Sequence, residues 1–70
     1  MYKKRMTDIQ RKVVLAFAEN DMKMTLTAKA VPCHLSTLAN YMQVIKGKYG
    51  LDPKCFYDLC ELVKIAREDA

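Results

Sequence analysis

Residues 25–47, "TLTAKAVPCHLSTLANYMQVIKG", decide how this chain folds. Two runs of residues compatible with helix are separated at Val31-Pro32. Proline brings no backbone N–H, and it disfavours helical backbone at the residue before it. We therefore expect a short helix over about residues 26–30, with Thr25 as its N-cap, and a second, longer helix after the break.

The longer helix is expected to begin at Cys33 or His34 and to be amphipathic. Apolar residues at spacings of three and four mark its buried side, namely Leu38, Tyr41, Met42 and Ile45. The opposite side carries mostly short or uncharged residues, namely Leu35, Ser36, Ala39, Asn40 and Gln43. Gly47 or Gly50 can supply the left-handed residue that ends such a helix.

A further helix is predicted before this segment. "TDIQ" at residues 7–10 has the pattern of a capping box, in which Thr7 and Gln10 satisfy each other's backbone donors. Apolar residues then recur at helical spacing, at Ile9, Val13, Ala16 and Phe17. Asn20 and Asp21 favour a turn after it.

The last predicted helix follows "LDPK", with Asp52 as N-cap and Pro53 at the first helical position. Its main apolar stripe is expected to be Phe56, Leu59, Cys60, Val63 and Ala66. Leu62 and Ile65 lie beside this stripe, and they suit either a homodimer contact or a broad core-facing surface. No segment alternates long enough for a strand, so we predict an all-α bundle of about four helices over residues 7–70, after a flexible basic tail at 1–6.

The composition excludes several classes of protein. Seventy residues allow one small domain, and no apolar run approaches the ~20 residues of a membrane span. The basic start lacks the apolar stretch of a secretory signal, so a cytoplasmic protein is expected. One histidine, no Ser/His/Asp grouping, no phosphate-binding glycine loop and no paired carboxylates in an evident cleft argue against an enzyme.

The three cysteines, Cys33, Cys55 and Cys60, are odd in number and form no CxxC pair, which argues against a disulfide framework. Together with His34 they could in principle bind zinc, but their spacing matches no zinc pattern. We expect reduced thiols, buried or half-buried, with no metal and no cofactor.

Positive charge is concentrated in the first fifty residues. The net charge is +3 over residues 1–20, +3 over 21–50 and −2 over 51–70. This distribution favours a polyanionic partner, although ordinary solubilising charge would look similar. Lys3, Lys4 and Arg5 could reach phosphates or a neighbouring groove, or could simply be solvated.

A helix-turn-helix is predicted within the bundle, because small Ala28, a tight turn at residues 31–33 and a polar outer face occur in the required order. Asn40 and Gln43 can pair bidentately with adenine, and Ser36 can also bond base edges. His34 and Thr37, near the helix start, can meet phosphate or base. The remaining candidate DNA-binding residues are Leu35 on the reading face and, at its flanks, Lys29, Lys46 and Lys48.

Residues 16–53, "AFAENDMKMTLTAKAVPCHLSTLANYMQVIKGKYGLDP", resemble a known family. With their surroundings, from about Val13 to Arg67, they look like the C-terminal helix-turn-helix of PucR-type transcription regulators. The matching positions include "HxxTL" at residues 34–38, "GLD" at 50–52, and Ala16, Phe17, Glu19, Asn20, Thr27, Ala28, Lys29, Ala30 and Ile45. The family usually has arginine at the positions of Leu35, Ala39 and Tyr41, and this chain does not.

The resemblance implies a DNA-binding domain of four or five helices that reads double-stranded DNA as part of a dimer or larger assembly. A second hypothesis is a protein-interaction adaptor or anti-repressor on the same scaffold. Leu35 and Ala39 suit a protein groove better than a DNA groove. The salt dependence of binding would separate the two hypotheses.

Overall fold

The protein is described by a computed structural model that covers residues 6–68. Four helices form the described part of the chain: α1 (Asp8–Glu19), α2 (Met24–Ala30), α3 (Leu35–Tyr49) and α4 (Phe56–Glu68). The predicted all-α class with four helices is confirmed. Within residues 6–68, no helix combines the length and the apolar character needed to cross a membrane.

Helix α1 is the centre of the bundle and packs against the other three helices. The predicted capping box begins it: Gln10 N–H donates to Thr7 Oγ1 at 3.2 Å, and Thr7 N–H donates to Gln10 Oε1 at 3.0 Å. Met6, expected to belong to the flexible tail, is instead buried in the core. The rest of that tail lies outside the described residues.

The loop after α1 turns through left-handed backbone at Asp21 (φ 56°) and Met22 (φ 60°). Helix α2 then begins at Met24, with Lys23 as N-cap, so the prediction of Thr25 as N-cap was wrong. Because these two left-handed residues reverse the chain direction before Lys23, the helix begins at Met24, and Thr25 lies inside its first turn. The threonine that bonds here is buried Thr27, whose hydroxyl donates to the Lys23 carbonyl at 2.7 Å.

The break at Pro32 is confirmed. Helix α2 ends at Ala30 with Val31 as C-cap, and Cys33 N–H donates to the Ala28 carbonyl at 2.9 Å across the turn. His34 is the N-cap of α3. At the other end, Gly50 is left-handed (φ 67°) and its N–H donates to the Lys46 carbonyl at 2.8 Å, so Gly50 and not Gly47 terminates the helix.

Helix α4 begins three residues later than predicted, at Phe56. Asp52 caps a turn rather than the helix, because its Oδ1 accepts from Lys54 N–H at 3.0 Å and its carbonyl accepts from Cys55 N–H at 2.9 Å. Asp52 N–H in turn donates to Asp58 Oδ2 at 3.0 Å. Pro53 is fully buried in this turn.

The stripe of α4 that enters the core also differs from the prediction. Its buried residues are Leu59, Leu62 and Ala66. Leu62 is 0% exposed and Ile65 is half-buried, so these two residues form no free strip for a second subunit. Instead Phe56 and Cys60, predicted to be buried, are exposed.

The core joins apolar residues from all four helices, together with Met6 before α1 and Val31 after α2. On α3 the buried side is that predicted, except that Tyr41 is half-buried and Tyr49 is buried. The buried apolar cluster consists of Met6, Val13, Val14, Ala16, Phe17, Ala28, Val31, Leu38, Met42, Ile45, Tyr49, Leu59, Leu62 and Ala66.

Replacing Gly47 by alanine is expected to raise the free energy of unfolding by about 0.5–1 kcal/mol. Gly47 lies inside α3, and a Cβ added there would meet nothing within 4 Å. Alanine therefore gains helix propensity without a clash. Denaturant titration would measure the change, and a loss of stability would mean that this position is crowded.

Candidate nucleic-acid interface

One side of α3 is a row of exposed polar side chains. Ser36, Asn40 and Gln43 are all exposed, on the side opposite buried Leu38, Met42 and Ile45. Their spacing of four and three places them in one line along the helix. Within residues 6–68 these three side chains make no hydrogen bond, so their donors and acceptors are available to a partner.

Two residues outside the predicted set extend this face. Gly47 continues the row by one more helical turn. Because it has no side chain, a partner can approach the helix backbone closely at this position. The bundle itself does not require glycine there, because a Cβ at this position would have no neighbouring atom within 4 Å. Val44, 57% exposed, lies beside the row. The repeat of four, three and four residues from Ser36 to Gly47 could have identified Gly47 from the sequence.

The N-terminus of α3 is open. His34 is exposed, and its side chain makes no capping hydrogen bond. The first N–H groups of a helix lack intrahelical acceptors, and they carry the positive end of the helix dipole. This end of α3 can therefore accept an anionic group. Leu35 is 50% exposed here, whereas Thr37 is half-buried.

The three candidate lysines have different surroundings. Lys29 in the last turn of α2 and Lys46 in the last turn of α3 are both exposed. Lys48 is half-buried: its Nζ donates to Gln10 Oε1 at 3.0 Å and lies 5.3 Å from the centroid of the Tyr49 ring. Lys29 and Lys46 thus present charge to solvent, while Lys48 ties α3 to α1.

The cysteines were predicted to be buried or half-buried, and this is correct only for Cys33. Cys55 and Cys60 are exposed, and all three are free thiols. In the part of the chain that the structure describes, no group of three or more His, Cys, Asp or Glu residues is placed to hold a metal ion.

Comparison of the chain with family models, with curated proteins and with solved structures found no match.

Proposed function

We propose that the protein is a small transcription regulator that binds double-stranded DNA through α3. The observation that carries this proposal is the row of exposed Ser36, Asn40 and Gln43, which make no hydrogen bond within residues 6–68. A major groove about 12 Å wide admits a helix whose outer side chains are short. Asn40 and Gln43 then meet base edges, and the open helix start at His34 meets a phosphate.

In this proposal α2, the connection at residues 31–34 and α3 act as a helix-turn-helix of the PucR type. Buried Ala28 on α2 supports it, because a small residue permits close approach of the second helix. Lys29 and Lys46 supply phosphate contacts beside the row. The positions of Leu35, Ala39 and Tyr41 provide no arginine for bidentate contact with guanine. The site that α3 reads should therefore be rich in adenine.

Fluorescence anisotropy with selected and random duplexes at two salt concentrations tests this function. About five phosphate contacts should give a log–log slope of affinity against salt near −4 to −5. Asn40→Ala and Gln43→Ala should each weaken binding to the selected duplex by about 5- to 150-fold, and binding to random DNA much less.

Two results would count against this function. If Asn40→Ala and Gln43→Ala weaken binding to every duplex equally, these two residues do not recognise bases. A protein without measurable affinity for DNA at low salt would overturn the proposal.

The second candidate function is an adaptor that binds another protein. The exposure of Leu35 (50%) and Val44 (57%) on α3 favours it, because large apolar side chains at a surface suit a protein partner. Leu26 on α2 is also exposed, whereas Ala39 is half-buried. An adaptor would bind its partner with little dependence on salt.

A further inference from the structure

An open apolar groove lies between the end of α1 and the first half of α4. Its volume is about 500 Å³, and it is lined by Ala18, Asp21, Met22, Phe56, Leu59, Cys60 and Val63. Phe56, which lines the groove, is 62% exposed, and the next residue, Tyr57, which does not line it, is 79% exposed. Their rings pack edge to face with centroids 5.6 Å apart. Two neighbouring exposed aromatic residues on the surface of a domain this small indicate a contact with another molecule.

Helix α4 has a second face with the spacing of a helix-packing seam. Phe56, Cys60, Val63 and Arg67 follow one another at intervals of four, three and four residues, the spacing found where two helices pack together. None of them belongs to the buried stripe of α4. Among the described helices, only α1 has Cα atoms within 8 Å of α4. Helix α1 meets one side of this seam, where Val63 packs against the core, whereas Phe56, Cys60 and Arg67 stay exposed.

Charges of opposite sign mark the two ends of this surface. Asp21 lines the groove near Phe56, and Arg67 lies in the last turn of α4. Neither forms an ion pair with a residue in the range 6–68. If two α4 helices pack antiparallel about an axis between Cys60 and Val63, Arg67 of each copy faces Phe56 of the other. It then also approaches Asp21 of that copy.

We infer that this surface is the interface of a homodimer, in which a second copy packs its α4 antiparallel against the seam and the groove. The antiparallel arrangement is self-complementary, because the two-fold axis forms the Asp21–Arg67 contact twice. Phe56 alone exposes about 100–150 Å² of a standard interface's ~800 Å² per partner. The groove walls add to this area, and an interface of this small size is expected to give a weak dimer that forms at high protein concentration.

The inference does not rest on DNA binding, and it is tested without DNA. Sedimentation velocity from about 1 to about 500 µM should show a concentration-dependent dimer. Phe56→Asp should weaken it at least about 30-fold, because it places a charge in the apolar groove. Val44→Asp is the matched control, since Val44 is similarly exposed but lies on α3. Circular dichroism would establish that both variants are folded.

A charge exchange tests the antiparallel arrangement itself. Arg67→Asp and Asp21→Arg should each weaken the dimer about tenfold, because each replaces two attractive contacts by two repulsive ones. The double variant should return to within about threefold of the original affinity. A chain that stays monomeric throughout, an unchanged Phe56→Asp dimer, or a double variant no better than the single ones would each overturn the inference.

Discussion

Leu62→Ala is expected to lower the free energy of unfolding by about 3–4 kcal/mol, whereas Ile65→Ala should cost only about 1 kcal/mol. Leu62 is 0% exposed on the side of α4 that enters the core, and Ile65, three residues later, is half-buried. Removing a fully buried leucine side chain loses its transfer free energy and leaves a cavity. At Ile65 much of the lost side chain already faces water.

The stability lost in Leu62→Ala should be a large fraction of the total free energy of unfolding. A domain of this size has a total stability of about 4–10 kcal/mol, so the variant should melt about 12–30 °C lower. Thermal and denaturant unfolding of both variants measure the difference. Equal losses would contradict the placement of Leu62. If Leu62→Ala keeps its stability but no longer dimerises, Leu62 lies in a homodimer contact, which is one of the two roles that the sequence suggested for Leu62 and Ile65.

The helix α4 shows why periodicity alone did not identify its buried face. Apolar residues cover more than half of its circumference, so two stripes at helical spacing fit the sequence equally well. The position of α1 decides between them, and that is a tertiary contact. The turn at Asp52, in which the carboxylate binds Lys54 N–H, also delays the helix start to Phe56. A short sequence pattern could not distinguish this turn from a helix cap.

Helices α1 and α3 were easier to predict, because their signals are local. The capping box at Thr7 and the break at Pro32 each depend on neighbouring residues alone. The sequence left the end of α3 open between Gly47 and Gly50, and the structure places it at Gly50. The exposed row on α3 followed from the regular spacing of Leu38, Met42 and Ile45 on the opposite side, although Leu35 and Val44 are exposed as well. The start of α2 was missed because two non-glycine residues, Asp21 and Met22, adopt left-handed backbone, which sequence seldom indicates.

The two proposed contacts use different parts of the molecule. No Cα atom of α4 lies within 8 Å of α3 in the described part of the chain. The proposed dimer surface contains no residue of α3, so a dimer formed through α4 need not cover the outer face of α3. A two-fold dimer would then present two α3 helices, as required for a DNA site with two related halves.

Asn40→Glu is expected to weaken binding to the selected duplex by at least about 100-fold, while the free energy of unfolding changes by less than about 0.5 kcal/mol. The substitution removes the amide that would pair with adenine. It also places a carboxylate among phosphates and base acceptors, which repel it. Because Asn40 is exposed and makes no hydrogen bond with a described residue, the fold should tolerate the change.

Cys55→Glu is the control for charge, since Cys55 is exposed, precedes α4 and lies off the α3 face. Both variants lower the net charge by the same amount, so a purely electrostatic, non-specific attraction predicts equal losses. Direct contact of Asn40 with bases predicts a much larger loss for Asn40→Glu. Anisotropy titrations of the two variants side by side, at one salt concentration, distinguish these outcomes. Similar affinities for both would exclude α3 as the reading helix, even if the protein binds DNA.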